Sequence, residues 1–177
     1  SRRQPQISKT HRQYTANTPN GWKISIMLEE IGYEYKVTKV DLGKDEQFKP
    51  EFKKLSPFGK IPVIIDHDNS KSIFESGAIL MYLADKSGKL YNEKDRLVIN
   101  QWLMAQMGYV GPMLGQHHQF HHYNPGKSDF GENRYFKISE RIYKELDTRL
   151  SVSKYLAGKN YTIADIATFP WIARHEW

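Results

Sequence analysis

The chain has 177 residues, enough for one good core or two small ones, and its 11 Tyr, 8 Phe and 4 Trp exclude a disordered protein. No apolar run reaches transmembrane length and no apolar signal core stands near the start, so a cytoplasmic protein without a membrane partner is expected. The net charge is +6, but Arg2, Arg3, Lys9 and Arg12 supply +4 of it within twelve acid-free residues, and the remaining +2 is an ordinary surface that does not call for nucleic acid.

Residues 1–10 read as a basic, flexible leader. His11 to Ala16 is a weak strand candidate, poor in apolar side chains. Thr18-Pro19-Asn20-Gly21 opens a helix, with Thr at the cap and Pro at the first helical position. Ile24, Met27, Leu28 and Ile31 recur at helical spacing and supply its inward stripe. Tyr35 to Val40 alternates as a strand, the polar stretch 41–49 reads as a loop, and Pro50 to Leu55 suggests a helical turn or two. Ile61 to Asp66 is a strong strand, with a hairpin at His67-Asp68-Asn69 leading into Lys71–Phe74. Proline cannot serve a central ladder, so Pro62 belongs at the very start of its strand, where a cis bond at a turn is one option. That position leaves the Ile61 backbone available to another partner.

A buried helix then runs from Ser76 to a stop at Gly88. Ser76 falls at the N-cap place, beside free N–H groups and the positive dipole end, and Glu75 adds a carboxylate. Two readings stand. One is plain capping, with the Glu favouring the dipole. The other is a site for an amino-acid head group, which needs donors for its carboxylate and an acceptor for its ammonium.

Residues 91–177 read as helix only, forming a second domain after an α/β domain at 11–90. Asn92 and Asp95 resemble a cap and its third-position acid ahead of Leu97, Trp102 and Leu103. Gly108, Gly111 and Pro112 predict a kink or break. A loop is expected over 123–130, then a long helix marked by Tyr135, Ile138, Ile142, Leu146 and Leu150. Thr162 and Asp165 form a capping box. The chain stops on an uncapped Trp177, which leads us to expect missing residues beyond it. His117, His118, His121 and His122 form two i, i+4 pairs with metal-ligand spacing, but no carboxylate stands at the HExxH position. No metal is therefore assigned, and a role lining an electrophile pocket stays open.

Thr18-Pro19-Asn20-Gly21, Lys60-Ile61-Pro62, Phe74-Glu75-Ser76-Gly77-Ala78-Ile79 and Asn160-Tyr161-Thr162-Ile163-Ala164-Asp165-Ile166-Ala167, in that order, resemble a glutathione transferase. The resemblance implies an α/β thioredoxin-like N-terminal domain plus an all-α C-terminal domain. Val40-Asp41-Leu42-Gly43-Lys44 and Gly111-Pro112-Met113-Leu114-Gly115-Gln116 narrow it to the bacterial nu class and the transferase-like domain of the yeast nitrogen-regulator prion protein. In that group the usual catalytic Tyr, Ser or Cys gives way to the Thr and Asn of the helix start. Members mainly reduce disulfides with glutathione, and a weak transferase or peroxidase activity and a homodimer are implied as well.

By this resemblance Glu75 and Ser76 hold the γ-glutamyl head group, and the Ile61 backbone pairs with the cysteinyl amide by strand addition. Gln47 and Lys60 serve the glycyl end, and Arg134 matches a family arginine that reaches glutathione. An exposed ion pair is the other reading of Arg134. Thr18 and Asn20 would donate to the thiolate, against a plain capping role for both. A thiol of pKa about 8.5 is only about 3% ionised at neutral pH, and a fall of about two units at a helix N-terminus would make it roughly 75% thiolate.

The chain has no cysteine, so it holds no disulfide, no thiolate metal ligand and no cysteine nucleophile. Thioredoxins carry two cysteines at the turn where Thr18 and Gly21 stand here. Sulfur must then come with the substrate, and one or two glutathiones, or one glutathione disulfide, are expected at the site alongside a small disulfide or electrophile. A binding or regulatory protein on the same scaffold is the alternative.

Overall fold

A computed structural model describes residues 10–177, so the leader expected at 1–10 lies, but for Thr10, outside the described residues. The chain divides into two compact units between Leu83 and Ala84, within the helix Ser76–Ser87.

In the first unit the strands β1 (His11–Thr15), β2 (Tyr35–Lys39), β3 (Val63–Asp66) and β4 (Lys71–Phe74) form one sheet in the order β2-β1-β3-β4. β1 runs parallel to β2, pairing Thr15 with Lys39, and antiparallel to β3, pairing Tyr14 with Val63. β3 in turn is antiparallel to β4, with Val63 opposite Phe74. The weak candidate β1 is thus a central strand. Its buried His11 and Gln13 explain the poor apolar signal. Gln13 is satisfied in place: its Nε2 donates to Gly21 O at 3.0 Å and its Oε1 accepts from Ser25 Oγ at 3.1 Å.

Helix α1 (Pro19–Ile31) buries Ile24, Met27, Leu28 and Ile31, the stripe its spacing predicts. The polar stretch after β2 is more ordered than a plain loop. It forms two 3₁₀ turns, Leu42–Lys44 and Glu46–Phe48, because Asp41 accepts from Lys44 N and its own N–H donates to Glu46 Oε1 at 2.8 Å. Helix α2 (Pro50–Lys53) buries Phe52 in a cluster with Val40 and Val63. The Ile61–Pro62 peptide is cis, and β3 begins only at Val63, two residues later than the apolar run suggests. Helix α3 (Ser76–Ser87) ends at Gly88, whose φ of +69° suits the residue expected there.

In the second unit, helix α4 (Arg96–Ala105) begins later than the pattern Asn92/Asp95 suggests. Asn92 Oδ1 does accept from Asp95 N at 2.8 Å, but it closes a turn ahead of the helix. The break expected near Gly108, Gly111 and Pro112 is a π-helical turn, Gln106–Val110, leading into α5 (Gly111–His117). A second π-helical turn spans His118–Tyr123. Helix α6 (Asp129–Val152) starts within the expected loop because Ser128 Oγ accepts from Gly131 N at 3.0 Å. Its stripe Ile138, Ile142 and Leu146 packs with Val110, Leu114 and Leu156, whereas Leu150 is exposed. Helix α7 (Ile163–Ile172) carries the expected capping box. Among the described residues no helix is long and apolar enough to cross a membrane.

Candidate functional site

The strand register gathers the site. Tyr14 lies opposite Val63 and Val63 opposite Phe74, so the chain leaving β1, entering β3 and leaving β4 does so at one end of the sheet. Since β2 is parallel to β1, the chain leaving β2 emerges there too. That end therefore carries Thr18–Gly21, Ile61–Pro62, Glu75–Ser76 and, further along the chain, the turn with Gln47. All four segments named by the sequence in this unit share it.

Thr18 sits in extended backbone, and its Oγ1 accepts from Gly21 N at 3.2 Å, so it caps α1 as read. A hydroxyl that accepts for a cap keeps its own proton to donate. Asn20 follows in the first turn, half-buried. Gly21 is dictated by space. A Cβ there would stand 2.3 Å from Thr15 Oγ1 and 2.5 Å from the Ala16 carbonyl oxygen, where α1 starts hard against the end of β1.

At the start of α3 the structure differs from the expected cap. Ser76 is the first helical residue and Glu75 holds the cap position, with its carbonyl accepting from Ile79 N at 2.9 Å. Glu75 has φ +74°, a conformation that costs a non-glycine residue about 1–3 kcal/mol. The turn leaves the Glu75 carboxylate exposed and buries the Ser76 hydroxyl.

The residue that sequence reasoning missed is Lys23. Its side chain is only 1% exposed, and its Nζ donates to Ser76 Oγ at 3.2 Å. Burial lowers its pKa to about 7, opposed by the neighbouring charge of Glu75. The signal was present, because Lys23, Met27 and Ile31 are spaced at i, i+4 and i+8 and so share the inward face of α1.

The loop bearing Lys60 and Ile61 is pinned by Ser56, whose Oγ donates to Lys60 O at 2.7 Å and accepts from Lys60 N at 3.0 Å. Gly59, at φ +63°, presses on the other loop: a Cβ there would lie 2.9 Å from both Gln47 O and Phe48 Cδ1. The Gln47 side chain has a buried Oε1 with no partner among the described residues. Lys60 is exposed, and the Ile61 backbone stands just outside the ladder that begins at Val63.

Arg134 belongs to the second unit, exposed on the first half of α6. The histidine cluster is in that unit too, and its rings stack. His117 lies on His121, His118 on Trp171 and His122 on Trp177. Burial lowers the pKa of His118 to about 4, with His117 adding to the effect, so the ring is neutral at physiological pH. Both His117 and His118 line a cavity with Leu114, Phe136 and Tyr143.

Residues 12–85 match the glutathione S-transferase N-terminal domain and residues 131–176 its C-terminal domain. The chain belongs to the glutathione S-transferase family. It is 48% identical over 166 residues to the disulfide-bond oxidoreductase YfcG of Escherichia coli, covering 90% of this chain and 77% of that protein. To the disulfide-bond oxidoreductase YghU of the same organism it is 38% identical over 168 residues, covering 89% of this chain and 58% of YghU. Among solved structures, a glutathione transferase from Burkholderia graminis with two glutathione molecules bound per subunit superposes with a TM-score of 0.88 at 43% identity. That match covers 93% of this chain and 72% of the other. A transferase from Pseudomonas putida holding one glutathione disulfide per subunit gives 0.85 at 42% identity, over 93% and 75% of the two chains.

Proposed function

We propose that this transferase-family chain is a glutathione-dependent disulfide-bond oxidoreductase of the nu type, working as a homodimer that takes up two glutathiones or one glutathione disulfide per subunit. The observation that carries the reading is a thioredoxin-like sheet end, built around Thr18-Pro19-Asn20-Gly21, in a chain without cysteine. The names of YfcG and YghU and the ligands of the Burkholderia and Pseudomonas proteins point the same way.

Each part of the tripeptide has a partner. Glu75 accepts from the γ-glutamyl ammonium while Ser76 and the α3 N–H groups donate to its carboxylate. The Ile61 backbone pairs with the cysteinyl residue, and the amide of Gln47 and the ammonium of Lys60 serve the glycyl end. The Thr18 hydroxyl and Asn20 amide donate to the sulfur at the start of α1, holding it as thiolate; neither removes the proton, which leaves to solvent. The thiolate attacks one sulfur of the disulfide, forming a mixed disulfide and expelling the other sulfur as thiolate. A second glutathione thiolate then attacks the glutathione sulfur of that mixed disulfide, giving glutathione disulfide and a second reduced thiol.

The test is reduction of hydroxyethyl disulfide under varied glutathione. A rate that rises with the second power of glutathione below saturation supports two adjacent thiols. Robust activity with strictly first-order dependence overturns the two-glutathione mechanism, and tight glutathione binding with no turnover would make the chain a binding protein instead.

A further inference from the structure

We propose that Asn17 is a further donor at the thiolate turn, one that serves the departing sulfur, and that Trp22 is the positioning residue that fixes its amide. The assignment rests on the glutathione-dependent disulfide reading of the site and adds two residues to it.

Asn17 and Trp22 bracket Thr18-Pro19-Asn20-Gly21 and are joined across it, with Trp22 Nε1 donating to Asn17 Oδ1 at 2.7 Å. An indole N–H can only donate, so it faces the amide oxygen, and this decides which end of the Asn17 amide is which. The NH2 group then lies on the side away from Trp22, with no acceptor among the described residues. Asn17 is exposed and Trp22 is 49% exposed, so that group is open to a ligand. The turn beneath is stiff. Trp22 N donates to Thr18 O at 3.1 Å, Thr18 N to Ala16 O at 2.8 Å and Gly21 N to Thr18 Oγ1 at 3.2 Å. An amide clasped to such a turn loses little freedom when it engages a ligand.

Disulfide exchange has a use for a donor in this place. The attacking, attacked and departing sulfurs stand nearly in line, so the departing one lies about 4 Å, two sulfur–sulfur bond lengths, from the attacking thiolate. As the new bond forms, the electron pair of the old one leaves with the departing sulfur, and the negative charge crosses from one end of the line to the other. Thr18 and Asn20 serve the first end. A donor for the second has to stand outside them, as Asn17 does, one residue ahead of the cap. It would stabilise charge that develops only as the bond breaks, which is where a fixed donor accelerates a reaction.

The experiment compares two disulfides reduced by glutathione, with the uncatalysed rate subtracted. Hydroxyethyl disulfide expels an ordinary alkyl thiolate, whereas cystine dimethyl ester, with an ammonium beside each sulfur, expels a more acidic thiol that needs less help. Asn17→Ala should lower kcat/KM about tenfold for the first and less than about threefold for the second. Trp22→Phe keeps a ring but frees the amide to turn, and should show the same selectivity. Asn17→Asp still accepts from the indole but has no proton to give, so it should lose at least as much on hydroxyethyl disulfide as Asn17→Ala. Equal losses on the two disulfides, or no loss, in Asn17→Ala or Trp22→Phe overturn the assignment while leaving the glutathione reading intact. So does Asn17→Asp working at the native rate. Failure of the native protein to reduce either disulfide overturns the reading of the site and this assignment with it.

Discussion

Replacing Asp165 by Ala should be among the costliest single changes in the second unit. Its carboxylate does two jobs: Oδ2 accepts from Thr162 N at 2.9 Å, closing the box that starts α7, and Oδ1 accepts from Leu156 N at 3.0 Å. Both donor residues are buried, Thr162 at 0% and Leu156 at 3% exposure, so water cannot readily replace the carboxylate. Each stranded N–H costs about 1–3 kcal/mol, and together they set a loss of roughly 3–4 kcal/mol. For a chain of this size that is a fall in Tm of about 6–16 °C. Asp165→Asn keeps one acceptor oxygen and should lose about half as much. Urea unfolding followed by tryptophan fluorescence measures both. A loss below about 1 kcal/mol for Asp165→Ala would refute the claim that this carboxylate anchors the 156–165 segment.

Lys23 makes stability pH-dependent with a definite sign. With a folded pKa of about 7 against an ordinary 10.5, the folded chain carries fewer protons than the unfolded one across that window. Stability therefore rises as pH climbs from about 7 toward 10, by a few kcal/mol, and Lys23→Met should abolish that rise in denaturation curves at pH 7 and 9. On the proposed reading Asn20→Ala removes one of the two donors to the thiolate and should lower kcat/KM for hydroxyethyl disulfide about 10- to 100-fold, with the melting temperature nearly unchanged. Gly21→Ala drives a methyl into the Ala16 carbonyl, so it should cost about 1–3 kcal/mol in thermal unfolding and weaken glutathione binding as α1 is displaced.

Local rules made much of this chain readable. Thr18 with Pro19, the stripe Ile24–Ile31, the stop at Gly88 and the Thr162/Asp165 box each depend on a few neighbouring residues, and each is present in the structure. What needed tertiary information was hidden. The central strand β1 lacks an apolar signature because Gln13 is satisfied by α1 and not by a greasy core. The cap ahead of α3 falls on Glu75 and not Ser76 because of a positive φ that no side-chain pattern announces. Lys23 stands at inward-facing spacing with Met27 and Ile31, but what it meets there, Ser76, lies 53 positions away and no local pattern shows it. Ser56, which pins the Lys60 backbone from both sides, is an unremarkable serine in the sequence.

The contact of Gly59 with the Gln47 carbonyl has a consequence for how the site can vary. Two loops separated by a dozen residues are seated against one another, and the absence of a side chain is the seat. A substitution at Gly59, or an insertion in either loop, would shift the amide of Gln47 and the ammonium of Lys60 as one rigid piece. If these two side chains hold the tripeptide's C-terminal end as proposed, its recognition should be gained or lost as a unit, with both changing together in variants selected for a longer or shorter thiol carrier.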